Sequence, residues 1–358
     1  MFLIIDGSAL LTTNFYGNLP LSIKMSKRED KYEVFESQIL QTSMGIYTNA
    51  VFKTLDDILE YISFYKPTHI AVTFDKNRHT TFRVKKYPDY KGTRKPKPAA
   101  LSEQFVTMKT ILKDIGIPVF ESDEFEADDI AGSIAKRFEN SVDKVVLLTK
   151  DHDWLQLKSD KTEIWMMQSS EDKCNELYSK YNRKKTESWM RDVNPSYYND
   201  KTIFPAKVFL YDDEVIMGEE GISYYQIPDL KGLAGDSADN IPGVKNVGPA
   251  SAAPLLREYG TIENLYEAIE NCENDKKKEK ELSDFWKVNL GIKKSPLNAL
   301  KKGKGSAFLS KDLATIITDI DTIPMGLDSY RYHIEKEKLF EVFNLYEMES
   351  LKSKYKYF

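Results

Sequence analysis

Short apolar runs recur through the first half of the chain, and each has the length of a buried strand. They span residues 2–5, 69–74 and 145–149 and are rich in Val, Ile and Leu. Between them lie amphipathic patterns of helical period, for example over 105–115 and 130–138. Strands that alternate with helices predict an α/β fold, in which a central parallel sheet has helices on both faces.

Each of these runs leads into an aspartate. Asp6 and Asp75 come directly after the first two runs, and Asp151 follows the third after one lysine. The carboxyl ends of parallel strands share one edge of the sheet, where such folds bind their ligands. A single aspartate after a strand usually caps a helix or forms a turn, but three at one edge indicate a functional site.

Three further acids lie at the start of the helix that is predicted around 130–138. Glu126, Asp128 and Asp129 fall in its first turn, where acids also suit the helix dipole. Glu126 and Asp129 are three residues apart, so we expect both side chains to project from one side of the helix. That side should face the carboxyl ends of the strands.

The remaining acids complete a set of nine. Asp153 lies two residues after Asp151, and Asp236 and Asp239 precede a glycine turn. Nine carboxylates in one crevice would repel one another unless cations neutralise them. The four histidines are scattered and form no zinc motif with the two cysteines. The carboxylates therefore predict Mg²⁺ or Mn²⁺, with two ions that activate water at a phosphate.

Residues 76–98 reverse the local charge of a chain whose net charge is −5. The segment is rich in Lys and Arg and includes Phe82, Tyr87 and Tyr90. Basic groups interleaved with aromatic rings suit phosphates and stacked bases, although a solvated, mobile loop has the same composition. The position directly after Asp75 favours nucleic-acid binding. Because no buried face is evident, we expect the segment to become ordered only on DNA.

The sequence GVKNVG at 243–248 is a turn framed by Gly243 and Gly248 and followed by a helical pattern. The spacing of Ile241, Val244 and Val247 resembles that of a helix-hairpin-helix turn. Backbone N–H groups in such a turn would hold a DNA phosphate without reading the bases. The GxxxxG spacing alone occurs in many ordinary turns, and the apolar positions make the prediction more specific.

Composition limits the cellular setting. Cys174 and Cys272 are the two cysteines of 358 residues, which argues against a disulfide scaffold and fits a reducing compartment. The N-terminal run has no basic leader, and no apolar run approaches the ~20 residues of a membrane helix. These features predict a soluble cytoplasmic protein.

Six motifs occur in one order over most of residues 1–260: IIDG, VTFD, FRVKKYPDYKGTR, FEADDIA, LLTKDHDWLQL and GLAGDSADNIPGVKNVG. As an ordered set they resemble the 5′-nuclease family, which includes the 5′→3′ exonuclease domain of bacterial DNA polymerase I, phage 5′-exonucleases and flap endonucleases. The resemblance implies a PIN-like catalytic domain over 1–220, with a helical arch at about 76–103 and an insertion at 168–205. It also implies a helical region over 221–358, with the helix-hairpin-helix at 241–260. Part of 20–45 is also longer than the family norm.

The resemblance also implies roles for individual residues. One metal group would be Asp6, Asp75, Glu126, Asp128 and Asp129, and the other would be Asp151, Asp153, Asp236 and Asp239. Tyr90, Lys91 and Arg94 match the base of the arch, where Lys91 and Arg94 would stabilise charge on the scissile phosphate. The expected DNA contacts are Arg83, Lys85, Lys86, Lys91, Arg94, Gly243, Lys245 and Gly248. The carbonyl groups of Val244 and Val247 would hold a potassium ion at the hairpin.

One departure concerns the helix after the hairpin, where Ala253 and Pro254 replace the basic residues that are usual in the family. The leading prediction is a metal-dependent 5′→3′ exonuclease and flap endonuclease that cuts DNA at 5′ ends, flaps and nicks. A DNA-junction binding protein with weak catalysis and a PIN-type ribonuclease are the alternatives. We expect a monomer that works with a replication polymerase on a separate chain.

Overall fold

The computed structural model describes residues 1–77, 79–183, 204–205 and 207–356. Within these ranges one six-stranded sheet has the order β3-β2-β1-β4-β5-β6. The first five strands are parallel, and β6 pairs antiparallel with β5. The strands are β1 (Phe2–Asp6), β2 (His69–Thr73), β3 (Val119–Phe120), β4 (Val145–Thr149), β5 (Thr162–Met167) and β6 (Val208–Leu210). The predicted α/β fold class is confirmed.

The three strands that were predicted from apolar runs form the centre of the sheet. All residues of β1, β2 and β4 are buried, because helices cover both faces. Their register is aligned, since Ile5 pairs with Val72 on one side and with Leu148 on the other. The chain segments that follow these strands therefore emerge together at one edge of the sheet.

Helices cover both faces of this sheet. The longer ones are α1 (Gly7–Gly17), α4 (Asn49–Tyr65), α6 (Ala99–Asp114), α7 (Ala127–Phe138), α11 (Pro249–Tyr259), α13 (Lys276–Val288) and α14 (Leu297–Ala314). The shorter ones are α2 (Leu21–Met25), α3 (Lys31–Val34), α5 (Phe82–Lys86), α8 (Glu171–Lys180), α9 (Asp213–Glu220), α10 (Ile227–Ala234), α12 (Ile262–Glu270), α15 (Lys336–Leu345) and α16 (Glu349–Lys354). Among the described residues no helix is long and apolar enough to cross a membrane.

Two apolar cores lie on opposite faces of the sheet. One core contains Phe2 and Ile4 of β1 together with α7 and the helices from α10 to α14. The other contains Leu3 and Ile5 with α1, α4, α6 and the C-terminal helices α15 and α16. The segment after residue 220 thus contributes to both cores. The division at 220/221 stays a prediction, since both regions share their buried surfaces.

Two predicted segments can be placed only in part. Of the expected insertion at 168–205, helix α8 is described, while 184–203 lie outside the described residues. The described part of the expected arch at 76–103 contains α5 and the start of α6, which are joined by turns. Thr81, Arg83 and Tyr90 in this segment are buried. The expectation that 76–98 has no buried face is therefore wrong, because these residues anchor it against neighbouring elements.

Candidate active site at the carboxyl edge of the sheet

Asp6, Asp75 and Asp151, here called the strand-end acids, follow three adjacent strands as predicted. They line a groove of about 1340 Å³. The Asp6 carboxylate accepts a hydrogen bond from the Ala9 amide at 2.9 Å and from the Thr149 hydroxyl at 2.8 Å. These local bonds fix the Asp6 side chain at the groove, and neither of them comes from a basic residue.

The surroundings of Asp6 disfavour its charged form. Burial raises the pKa of Asp6 to about 7, the hydrogen bonds from Ala9 and Thr149 oppose this shift, and the nearby Asp75 and Asp151 add to it. Within the described residues no strand-end acid forms an ion pair. This part of the groove therefore contains carboxyl groups without an ion pair, although Asp75 contributes to the raised pKa of Lys91.

Asp75 links the groove to helix α7. Its Oδ1 atom accepts a hydrogen bond from the Ala127 amide at 3.0 Å, and its own amide donates to the Ser8 hydroxyl at 2.9 Å. The start of α7 is thereby held against the strand ends. Burial raises the pKa of the neighbouring Asp128 well above its usual value, and Asp129 adds to the shift.

Asp129 lies beside Glu126 at the start of α7 and is paired with a basic residue. It is fully buried, and both of its oxygens bind the guanidinium of Arg83, at 2.6 and 2.8 Å. It also accepts the amides of Glu126 at 3.0 Å and Ile317 at 2.8 Å. Glu126 contacts the same guanidinium at 3.2 Å, so the two carboxylates lie side by side. Four hydrogen bonds already occupy the oxygens of Asp129.

Arg83 is correspondingly inaccessible to DNA. Its exposed fraction is 1%, and besides Asp129 it donates to the carbonyl groups of Leu313 at 2.8 Å and Thr315 at 2.9 Å. The prediction that Arg83 contacts DNA is wrong, because its guanidinium joins the arch segment to α7 and to the end of α14. Lys85 and Lys86 of the same helix are exposed, as the prediction requires.

Tyr90, Lys91 and Arg94, here called the arch base, lie against two of the predicted metal ligands. The Tyr90 hydroxyl is 2.9 Å from Glu126 and 3.1 Å from Asp239, and Lys91 Nζ is 2.8 Å from Glu126. Arg94 forms an ion pair with Asp239.

Burial opposes ionisation of Lys91, but Glu126 and Asp239 raise its pKa well above the usual value. Burial alone would raise the pKa of Asp239, yet Lys91 and Arg94 hold it below the usual value.

Lys231 bridges two acids of the second predicted metal group. Its ammonium contacts Asp153 and lies 2.6 Å from Asp236. Burial alone would lower the pKa of Lys231, but these two carboxylates raise it. The prediction from sequence missed this residue. Its position on α10, five residues before Asp236, could have indicated a basic residue close to this acid.

The hairpin at 235–248 differs from the prediction at Gly243. The amide of Gly243 already donates to the Ser310 hydroxyl at 2.9 Å. Its φ is +59°, and a Cβ there would lie 2.3 Å from the Gly235 nitrogen, so glycine is required by the packing. The prediction that Gly243 binds a phosphate is wrong. Gly248 is exposed at the start of α11 and has open space around its Cα, and Lys245 is exposed beside it.

Comparisons with known proteins agree with this geometry. The family model described as 5′-3′ exonuclease, N-terminal resolvase-like domain, matches residues 1–188. The model described as 5′-3′ exonuclease, C-terminal SAM fold, matches residues 222–338. The chain belongs to the 5′-3′ exonuclease family. The resemblance that the six motifs carry is confirmed.

Related sequences fall into two kinds. DNA polymerase I of Caldicellulosiruptor bescii is 32% identical over 312 residues, which are 87% of this chain and 30% of that protein. The enzyme of Bacillus subtilis is 32% identical over 304 residues, 84% of this chain and 28% of that protein. The chain thus spans about 30% of the length of these polymerases. A 5′-3′ exonuclease of Halalkalibacterium halodurans is 29% identical, over 90% of this chain and 86% of that protein.

Solved structures share the fold. The 5′-exonuclease of T5 with bound zinc has a TM-score of 0.54 and 20% identity, over 96% of this chain and 98% of that one. The catalytic core of Rad2 in complex with a DNA substrate has a TM-score of 0.51 and 14% identity, over 96% of this chain and 86% of that one. At these identities the likeness concerns the fold alone.

In this member of the 5′-3′ exonuclease family the acids line a common crevice and do not surround a single point as the ligands of one ion would. Within the described part of the chain, no three Asp, Glu, His or Cys side chains converge as the ligands of one ion. The donors are nevertheless hard carboxylate oxygens, and burial disfavours the metal-free charged forms of Asp6 and Asp128. This donor chemistry fits a divalent cation that keeps part of its water shell.

Proposed function

We propose that this chain is a metal-dependent 5′→3′ exonuclease and flap endonuclease that hydrolyses DNA phosphodiesters at 5′ ends, flaps and nicks. The observation that carries the proposal is the groove that the strand-end acids share with Arg94, beside which Lys91 interacts with Asp75. Uncompensated carboxylates and buried basic groups side by side suit a reaction in which negative charge increases on a phosphate. Membership of the 5′-3′ exonuclease family supports the same reaction.

The cofactor in this proposal is Mg²⁺ or Mn²⁺, with two ions for each site. Asp6, Asp75, Glu126 and Asp128 would hold one ion, and Asp151, Asp153, Asp236 and Asp239 would hold the other. We leave Asp129 out of the first group, because Arg83 and two amides occupy its oxygens. Such ions would supply an activated water and would neutralise the leaving oxygen.

The arch base would act on the phosphate itself. Lys91 and Arg94 are held beside Glu126 and Asp239 by ion pairs, so they already lie next to the predicted metal ligands. Tyr90 fixes both carboxylates through its hydroxyl. We infer that Lys91 and Arg94 turn from these carboxylates to the scissile phosphate and stabilise its charge.

The DNA would lie across the basic segment and the hairpin. Lys85 and Lys86 of α5 and Lys245 and Gly248 of the hairpin are exposed and accessible to a phosphate backbone. A potassium ion at the carbonyl groups of Val244 and Val247 stays part of the proposal. The Val244 carbonyl accepts one hydrogen bond, from the Val247 amide at 3.0 Å, which leaves its second lone pair for an ion.

One experiment separates this function from its alternatives. Purified protein is given Mg²⁺ and either a 5′-flapped DNA or a single-stranded RNA of the same sequence, and the products are sized. Release of nucleotides from the flap alone is expected, and Asp75→Asn should abolish it. Cleavage of the RNA instead would indicate a ribonuclease, and tight flap binding without cleavage would indicate a junction-binding protein.

Three further parts of the proposal concern the setting of the enzyme. We propose a cytoplasmic monomer that acts beside a replication polymerase on a separate chain. Sedimentation of the protein alone and with flap DNA tests the monomeric state. A single species with the mass of one chain, bound to one DNA, is expected, and a stable dimer would contradict it.

A further inference from the structure

The helix that follows the hairpin offers few cations to a DNA duplex. Its sequence from Pro249 to Tyr259 contains one basic residue, Arg257, which donates to the Gly221 carbonyl at 2.6 Å. Ala253 is buried, and Pro254 is uncharged. A duplex on the hairpin would therefore meet backbone amides at Gly248 but little positive charge on α11.

Helix α14 packs directly against the same hairpin. A Cβ at Gly303 would lie 2.7 Å from Val244, so the backbone of α14 touches the hairpin at that point. The Ser306 hydroxyl donates to the Gly243 carbonyl at 2.5 Å, and the Ser310 hydroxyl accepts the Gly243 amide. These contacts fix α14 and the hairpin as one surface.

Lys302 belongs to the part of α14 that contacts the hairpin, next to Gly303. It precedes Ser306 by four residues, so the two side chains share one side of the helix. Lys302 is exposed, as are Lys293 and Lys294 in the loop before α14. None of these three lysines forms an ion pair with any residue in the ranges that the structure describes.

Other lysines nearby are already neutralised. Lys301 pairs with Glu279 at 2.6 Å, and Lys304 pairs with Glu270. On α13, Lys287 pairs with Asp284 at 3.1 Å. Lys293, Lys294 and Lys302 differ from these three paired lysines because their ammonium groups have no acidic partner among the described residues.

We propose that Lys293, Lys294 and Lys302 form a phosphate-binding strip that extends the hairpin surface at Lys245 and replaces the cations that α11 lacks. The ligand is the phosphate backbone of duplex DNA, bound without regard to sequence. The proposal rests on the proposed function for its biological setting. Its physical basis is the charge and the packing of α14 on the hairpin.

The test measures binding of a blunt DNA duplex at several salt concentrations. The variant Lys293→Ala/Lys294→Ala/Lys302→Ala should bind at least about 10-fold more weakly near 0.1 M salt. The slope of log K against log salt should become less steep by up to roughly 2.7, because each lost phosphate contact removes about 0.9. The matched control Lys287→Ala/Lys301→Ala/Lys304→Ala removes the same number of charges from ion pairs and should keep the slope of the unmodified protein.

The outcomes separate this inference from the proposed function. An unchanged slope in the first variant, or equal losses in both variants, overturns the strip. If the unmodified protein cleaves flap DNA while the slopes stay equal, the strip alone fails. If the slopes differ as expected but the unmodified protein cleaves no DNA with Mg²⁺, the strip stands and the nuclease proposal fails.

Discussion

The crevice contains two groups of acids with opposite electrostatic surroundings. The strand-end acids form no ion pair within the described residues, and burial raises the pKa of Asp6 to about 7. Glu126, Asp129 and Asp239, here called the paired acids, each contact a basic side chain of the arch segment. The pKa of Asp239 is accordingly held below its usual value.

This difference indicates a division of labour within one set of carboxylates. An uncompensated buried carboxylate costs folding free energy, and a cation from solution can remove that cost. A paired carboxylate already has its cation, so it fixes the position of the basic group that it binds. The strand-end acids are therefore expected to contribute more to the affinity for metal ions than Glu126 and Asp239 do. The paired acids are expected to govern the positions of Arg83, Lys91 and Arg94.

The largest expected effect comes from removing the charge of a strand-end acid. Asp75→Asn keeps an oxygen for the Ala127 amide but removes one negative charge. We expect a loss of cleavage of roughly 10³-fold, which is about 4 kcal/mol in the barrier. Single-turnover cleavage of flap DNA in Mg²⁺ measures it, and excess chelator should stop the unmodified protein completely. The exposed Asp123→Asn variant is the control, and similar rates for both variants would break the distinction between the two groups.

The next effect concerns the stability of the folded protein, to which the ion pair between Arg83 and Asp129 contributes. Arg83→Met leaves Asp129 charged and buried without its cation, so the free energy of unfolding should fall by about 3–5 kcal/mol. Urea denaturation measures this, with the exposed Lys85→Met as the control on the same helix. Adding Asp129→Asn to Arg83→Met should restore part of the stability, because the unpaired charge is gone. Normal stability in Arg83→Met, together with tighter Mg²⁺ binding, would instead make Asp129 a metal ligand.

A third, somewhat smaller effect is expected at the arch base. Lys91→Ala should slow single-turnover cleavage with a barrier increase of about 2.7–4 kcal/mol, by analogy with the loss of one preorganised donor. Flap affinity should change little, because the Lys91 ammonium is held by Glu126 and Asp239 and adds little to ground-state binding. Lys85→Ala, at an exposed lysine, should show the reverse pattern. Equal losses of rate and affinity in Lys91→Ala would make it an ordinary phosphate anchor.

Sequence was sufficient for the features that depend on local pattern. Apolar runs predicted β1, β2 and β4, and the residues after them placed the strand-end acids at one edge, because parallel strands end together. The choice of a counter-ion is not local. Arg83 is 46 residues from Asp129, and nothing in either segment specifies the pair.

The hairpin shows the same limit. The motif placed Gly243 in a turn, and its φ of +59° lies in the left-handed region that favours glycine. The motif could not indicate which group its amide binds, since Ser310 lies 67 residues further along. A glycine that is required by packing and a glycine that admits a phosphate look alike in sequence.

The smallest expected effect is the pH dependence of stability at Asp6. Its pKa is about 7 in the folded protein and roughly 3.9 when unfolded, so the folded state binds more protons between these values. Stability of the metal-free protein should therefore fall as pH rises through this window, at no more than about 1.4 kcal/mol for each pH unit from this group. Asp6→Asn keeps an acceptor for the Ala9 amide and lets the Thr149 hydroxyl accept, so it should flatten the slope between about pH 5 and 6.5.

Thermal or urea unfolding in chelator measures this pH dependence, with the exposed Asp160→Asn as the control. Mg²⁺ should flatten the slope of the unmodified protein in the same way, because a cation favours the ionised carboxylate. A slope that is identical in Asp6→Asn and in the unmodified protein would show that the strand-end acids carry no uncompensated charge, and the contrast with the paired acids would be lost.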